Sequence, residues 1–99
     1  AATRPTAIIV ASDTMAIAVM RELRQLGLSI PSDVSVIGYD DSLVARAADP
    51  PLSSVNQPFA EMGARGADLL KDLIDGKLDA AQVALPVSLV ERESVAKVK

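Results

Sequence analysis

Ninety-nine residues with a hydrophobic share of 49% suit one small domain or a piece of a larger one. The chain has no Cys and no His, which excludes disulfides, thiol catalysis, Ser-His-Asp triads and most zinc sites. A net charge of −3 with scattered Lys and Arg argues against nucleic-acid binding by these residues, because phosphate contact needs a basic stripe. No apolar run approaches the length of a bilayer span, and no basic-then-apolar leader is visible. The absence of Cys fits the cytoplasm. The chain opens Ala-Ala-Thr without an initiator Met, so sequence upstream is expected.

Thr6-Ala-Ile-Ile-Val predicts a short strand, apolar enough to be buried on both faces. Ser12 and Asp13 then supply N-cap chemistry for a helix whose apolar residues, Ile17, Val19 or Met20, Leu23 and Leu26, recur at helical spacing. Gly27 ends that helix as a left-handed residue, with Leu28 as its hydrophobic partner. Pro31-Ser-Asp makes a turn into a second strand, Val34–Tyr39, parallel to the first after a right-handed crossover. Both strands stop at carboxylates, Asp13 and the Asp40-Asp41 pair. In an open parallel sheet these stops share one rim, outside which ligands bind.

Ser42–Asp49 has room for one or two helical turns before Pro50-Pro51 stops them. Leu52–Gln57 reads as a short extended stretch. Pro58 opens a helix to about Asp75, stopped by Gly76, with Phe59, Met62, Leu69, Leu70, Leu73 and Ile74 on its apolar face. Gly63 and Gly66 within it suggest close packing against a neighbour. Lys77–Gln82 reads as a loop, and Val83–Arg92 as a final strand that Pro86 interrupts, favouring a sheet edge. The expected fold class is α/β with a parallel sheet.

Four stretches carry a resemblance: Ala7-Ile-Ile-Val-Ala-Ser-Asp-Thr-Met-Ala, Gly27-Leu-Ser-Ile-Pro-Ser-Asp-Val-Ser-Val-Ile-Gly-Tyr-Asp-Asp, Pro50-Pro-Leu-Ser-Ser-Val-Asn-Gln-Pro and Leu85-Pro-Val-Ser-Leu-Val-Glu-Arg-Glu-Ser. In this order the chain resembles the C-terminal part of the effector-binding core of the LacI/GalR family of bacterial transcription regulators. The resemblance implies a periplasmic-binding-protein-like fold of two α/β lobes with the effector between them. It assigns about 4–49 and 83–94 to the C-terminal lobe. About 52–78 would be a crossover and a helix belonging to the N-terminal lobe, and the DNA-binding head would be absent. Cut from that lobe, the helix would swap between copies, repack on its own sheet, or leave the fold marginal.

The resemblance further implies a small polar effector, sugar or nucleobase, contacted by Asp40, Ser12, Gln57 and Phe59, with Asp13 a weaker candidate. Asp40 would accept effector hydrogen bonds and Phe59 would wall the ring. Many members carry Asn or Asp where Ser12 stands, and Ser53-Ser54 replaces a commoner Thr pair. Ile17, Ala45 and Ala48 would lie on a homodimer face. Each residue also has a plainer reading: Asp13 as a helix cap, Ser12 equally cap or contact, Asp41 as a turn residue, Gln57 a helix start and Phe59 a core aromatic. No cofactor, metal or membrane is implied. Two other classes stand beside the regulator. One is a lobe of an exported sugar-binding protein. The other is a phosphoacceptor domain with Asp13, Asp40 and Asp41 around Mg²⁺, which lacks a lysine at the end of a later strand. Catalysis is not expected.

Overall fold

In the computed structural model, residues 4–77 and 82–98 are described. They fall into two compact units, 4–56 with 88–98, and 57–77 with 82–87. The expected loop at Lys77–Gln82 lies largely outside the described residues.

The first unit is a four-stranded sheet in the order β1 (Ala7–Ile9), β2 (Ser35–Tyr39), β3 (Ser53–Asn56) and β4 (Ser88–Val90). β1 and β3 both run parallel to β2, with Ile8 opposite Val36 and Gly38 opposite Ser54; β4 pairs antiparallel to β3. The fold is therefore the expected α/β class with a mainly parallel sheet. β1 differs from its reading as a strand buried on both faces. It takes the sheet edge, and Ile9 is 76% exposed. A continuous apolar run does not say which of its faces the fold covers.

α1 (Asp13–Gln25) packs along β2 because its apolar spacing presents one face to the sheet. Ala16 and Met20 are buried with Val10, Val34, Val36, Ala45 and Leu52, while Ile17, Val19 and Leu23 pack against that cluster from the side. Leu26, expected on the same face, is exposed. It sits at the helix end, where Gly27 at φ +82° turns the chain away. The Gly27 amide donates to the Arg24 carbonyl and the Leu28 amide to the Leu23 carbonyl, the paired bonds of a Schellman cap. α2 (Leu43–Ala47) is one short turn after β2. Ala45, expected on a dimer face, is instead fully buried, because it lies on the side of α2 that joins the core; Ile17 and Ala48 pack against the same core, both partly buried.

The extended stretch after Pro51 is β3, a full member of the sheet, so the first unit continues through Asn56. β4 is shorter than expected. Pro86 and Val87 fall outside the strand, as a residue without an amide donor would require, and belong to the second unit. After β4 the chain straps the starts of β2 and β3. Ser94 Oγ donates to the Val36 carbonyl at 2.6 Å and accepts the Ser53 amide at 2.8 Å, while the Val36 amide donates to the Ser94 carbonyl. Ser35 Oγ accepts the Ala96 amide one step further on.

The second unit is built on α3 (Phe59–Ile74), which ends at Asp75 before Gly76 at φ +74°. No residue of α3 is buried, and Phe59, Met62, Leu70 and Ile74 are exposed. Among the described residues, a Cβ at Gly63 or Gly66 would meet nothing within 4 Å.

Candidate functional site

The parallel registers put the C-terminal ends of β1, β2 and β3 on one rim of the sheet. Three of the expected site residues, Ser12, Asp13 and Asp40, stand there, and Asp41 with them.

Ser12 is the N-cap of α1, its Oγ accepting the Met15 amide at 3.1 Å from an extended backbone, φ −153°. That satisfies one amide of the first turn that would otherwise lack a partner. Asp13, expected to be a cap, has a different task. It is 2% exposed and its carboxylate ties three elements together. Oδ1 accepts the Ser54 hydroxyl of β3 at 2.6 Å; Oδ2 accepts the Ser42 amide at 2.7 Å and the Ser42 hydroxyl at 2.8 Å. A buried carboxylate is tolerable only with such donors around it. Asp13 is therefore engaged inside the protein. Gly38 lies under it: a Cβ there would stand 2.2 Å from Asp13 Oδ1 and 2.8 Å from Leu52 Cδ2. No residue larger than glycine fits between the sheet and that carboxylate.

Asp40 and Asp41 follow β2 with two consecutive positive φ angles, +111° and +52°. Each such non-glycine backbone costs roughly 1–3 kcal/mol, and Asp is among the residues that bear it best. The turn is held by bonds to β3: the Asp40 amide donates to the Val55 carbonyl at 2.8 Å and the Asp41 amide to Ser54 Oγ at 2.9 Å. Ser54 thus gives its proton to Asp13 and accepts from Asp41, joining both carboxylate positions of the rim. Asp40 itself is half-buried.

The Asp41 side chain turns inward. Its Oδ1 pairs with Arg92 Nη2 at 2.5 Å and its Oδ2 accepts Asn56 Nδ2 at 3.0 Å, with the Asp41 and Arg92 side chains 5% and 15% exposed. Burial raises the Asp41 pKa, but the hydrogen bonds from Arg92 and Asn56 and the charges of Arg92 and Arg46 outweigh it and hold it below its ordinary value of 3.8. Arg92 is anchored beyond the pair. Its Nη1 donates to the Leu52 carbonyl and its amide to Ser53 Oγ, each at 2.8 Å. Ser42, Ser54, Asn56 and Arg92 are parts of the site that the sequence pattern does not single out. The signal that could have found Arg92 is charge: adjacent aspartates at a buried strand end need a cation and donors nearby, and Arg92 follows the last apolar run.

Gln57 and Phe59 belong to the second unit, where Gln57 is half-buried and Phe59 is 54% exposed. A cleft of about 240 Å³ among Arg4, Thr6, Ser32 and Lys97 lies at the starts of β1 and β2 and contains none of the expected site residues. Among the described residues no group of three or more Asp and Glu is disposed to hold a metal ion. No helix among them is long and apolar enough to cross a membrane.

An open α/β sheet that gathers hydrogen-bond acceptors along its C-terminal rim is the architecture of a small-ligand-binding lobe. The family model for periplasmic binding protein-like domains matches residues 1–95. The regulator CelR of Thermobifida fusca is 47% identical over 89 residues, covering 89% of this chain and 26% of its own length. The lactose operon repressor of Escherichia coli (strain K12) is 40% identical over 90 residues, 91% of this chain and 25% of its own. Among solved structures, a CelR–cellobiose complex matches with a TM-score of 0.82 at 47% identity, covering 90% of this chain and 28% of that one. A lac repressor dimer bound to operator and the anti-inducer ONPF matches with a TM-score of 0.87 at 39% identity, over 94% of this chain and 32% of that one. The chain belongs to the LacI family of transcription regulators, as a portion of their periplasmic-binding-protein-like, effector-binding core. It spans about a quarter of the length of CelR, a transcriptional regulator, and of the lactose operon repressor.

Proposed function

We propose that this chain is the effector-sensing part of a LacI-type regulator and binds a sugar-type polar ligand at the C-terminal rim of its sheet. The observation that carries this reading is Asp40, an acidic residue held at the end of β2 on a backbone of φ +111°. A carboxylate accepts two hydroxyl donors at once and rejects ligands that cannot supply them. Ser12 on the same rim offers a second polar contact. Asp13, whose oxygens are engaged by Ser42 and Ser54, supports the rim from inside and is not a ligand contact in this reading. The exposed apolar residues of α3 suit a helix that packs on the other lobe of the parent protein. Ile17 and Ala48 would border a homodimer face. The protein works in the cytoplasm, where effector binding favours one arrangement of lobes and so alters DNA binding by an N-terminal head.

Cellobiose is the first probe, because a relative 47% identical is solved with it. Calorimetry on the intact parent should show saturable binding of cellobiose or another sugar from a small panel. Asp40→Ala should then weaken it by tenfold to a hundredfold, the range of about 1.5–3 kcal/mol for a hydrogen bond to a charged group. Unchanged affinity in Asp40→Ala, with the protein folded, would refute the assignment.

A further inference from the structure

We propose that Arg92 and Asp41 are positioning residues for Asp40: their ion pair, braced by Asn56 and Ser54, locks the two left-handed residues that place the Asp40 carboxylate on the ligand rim. The proposal rests on the reading of Asp40 as a ligand acceptor, and its geometry stands without it.

Two successive aspartates at φ +111° and +52° occupy conformations that favour glycine, so an external restraint must hold them. Asp40 is held by its amide on the Val55 carbonyl, and the residue after it is fixed more strongly. Asp41 is pinned at three atoms, its amide on Ser54 Oγ, Oδ1 on Arg92 and Oδ2 on Asn56. Peptide planarity then passes that fixation back to Asp40, because only two soft torsions separate the two residues.

Arg92 is suited to the task because it does not move freely. Its guanidinium bridges the Asp41 carboxylate and the Leu52 main-chain carbonyl, and its own amide is bonded to Ser53 Oγ. One planar fork therefore ties the end of β2 to the start of β3 from just beyond β4. The groups that face Asp41 are Arg92 following β4, Asn56 and Ser54 on β3 and Arg46 on α2, with Asp13 behind Ser54 and Asp40 adjacent. The pair is sheltered at 5% and 15% exposure, so water competes weakly for it.

The test compares wild type, Arg92→Gln, Arg92→Lys and Asp41→Asn in the intact parent by hydrogen exchange with mass spectrometry, without ligand, followed by calorimetry with cellobiose. In Arg92→Gln and Asp41→Asn the peptide covering 38–42 should exchange about tenfold faster or more, while the peptide covering α1 keeps its wild-type rate. Arg92→Lys, which keeps the charge but not the fork to the Leu52 carbonyl, should restore part of the protection, a rescue that general destabilisation would not give. Wild-type exchange at 38–42 in folded Arg92→Gln would overturn the proposal, and so would equal loosening of α1. Cellobiose affinity should fall in Arg92→Gln and recover in part in Arg92→Lys. If wild type does not bind cellobiose, the effector reading loses its first probe while the exchange comparison still decides whether the pair locks the turn.

Discussion

Gly38→Ala puts one methyl group into the tightest place in the sheet. Its Cβ would stand 2.2 Å from Asp13 Oδ1, 2.8 Å from Leu52 Cδ2 and 3.3 Å from Asp13 Cα. Neither neighbour can yield cheaply. Leu52 is fully buried, and Asp13 is the start of α1 with both oxygens engaged. Forcing a methyl group into a packed core costs typically 1–3 kcal/mol, about the same again as the charged hydrogen bond of about 1.5–3 kcal/mol that is lost when the carboxylate leaves the Ser54 hydroxyl. Together these come to about 2.5–6 kcal/mol, a large part of the stability of a small domain. Urea unfolding of the variant and wild type, followed by circular dichroism, measures it directly. A double-mutant cycle locates the cause: with Asp13→Ala in the background, the cost of Gly38→Ala should fall by half or more, because the main obstacle is gone. A cost below about 1 kcal/mol, or one unchanged by Asp13→Ala, would mean that the carboxylate does not lie over Gly38 and the rim is built differently.

Three further outcomes follow from the same geometry. Asp13→Asn keeps the shape but turns one acceptor oxygen into a donor facing Ser42 or Ser54, and should cost about 1–3 kcal/mol by denaturant midpoint; a neutral result would show that the buried carboxylate is dispensable. Gly27→Ala imposes a Cβ on φ +82° with open space around it, so the backbone alone is penalised, by about 1–2 kcal/mol, with little change in the m-value. Asp41 titrates below its ordinary value, so the stability it contributes is complete well above pH 3.8 and is lost as pH falls through its lowered folded value. Asp41→Asn should therefore be less stable than wild type at neutral pH, and the difference should narrow in acid; a difference independent of pH would remove the ionic account.

Much of the first unit is legible in the sequence because its signals are local. The apolar spacing of α1, Ser12 before it and Gly27 after it are each sufficient in the sequence, and all three act where the pattern puts them. The rim is legible for the same reason: strand ends and acidic residues can be read together. What local pattern does not carry is which groups answer one another across the sheet. Asp13 and Ser12 are neighbours of similar capping strength, and only the positions of Ser42 and Ser54, remote in sequence, decide that Ser12 caps while Asp13 goes inside. The extended stretch at Ser53–Asn56 is visible, but nothing local says that it joins β2.

The three aspartates of the rim have one chemistry and three environments, and this bears on how such a site can sense a ligand. Asp13 has its oxygens filled by hydroxyl and amide donors of its own chain; Asp41 has its oxygens filled by a cation and an amide. These two are what a sheet needs to end in carboxylates without unanswered charge. Asp40 stands between them on a strained backbone, half-buried, with its amide fixed to β3. An acceptor that is held in place before a ligand arrives loses little conformational freedom on binding, so more of the interaction appears as affinity. Rigidity also serves regulation. In the proposed reading of Asp40 as a ligand acceptor, a backbone held in this way would leave the preference for one arrangement to be expressed in larger movements of the protein around the rim.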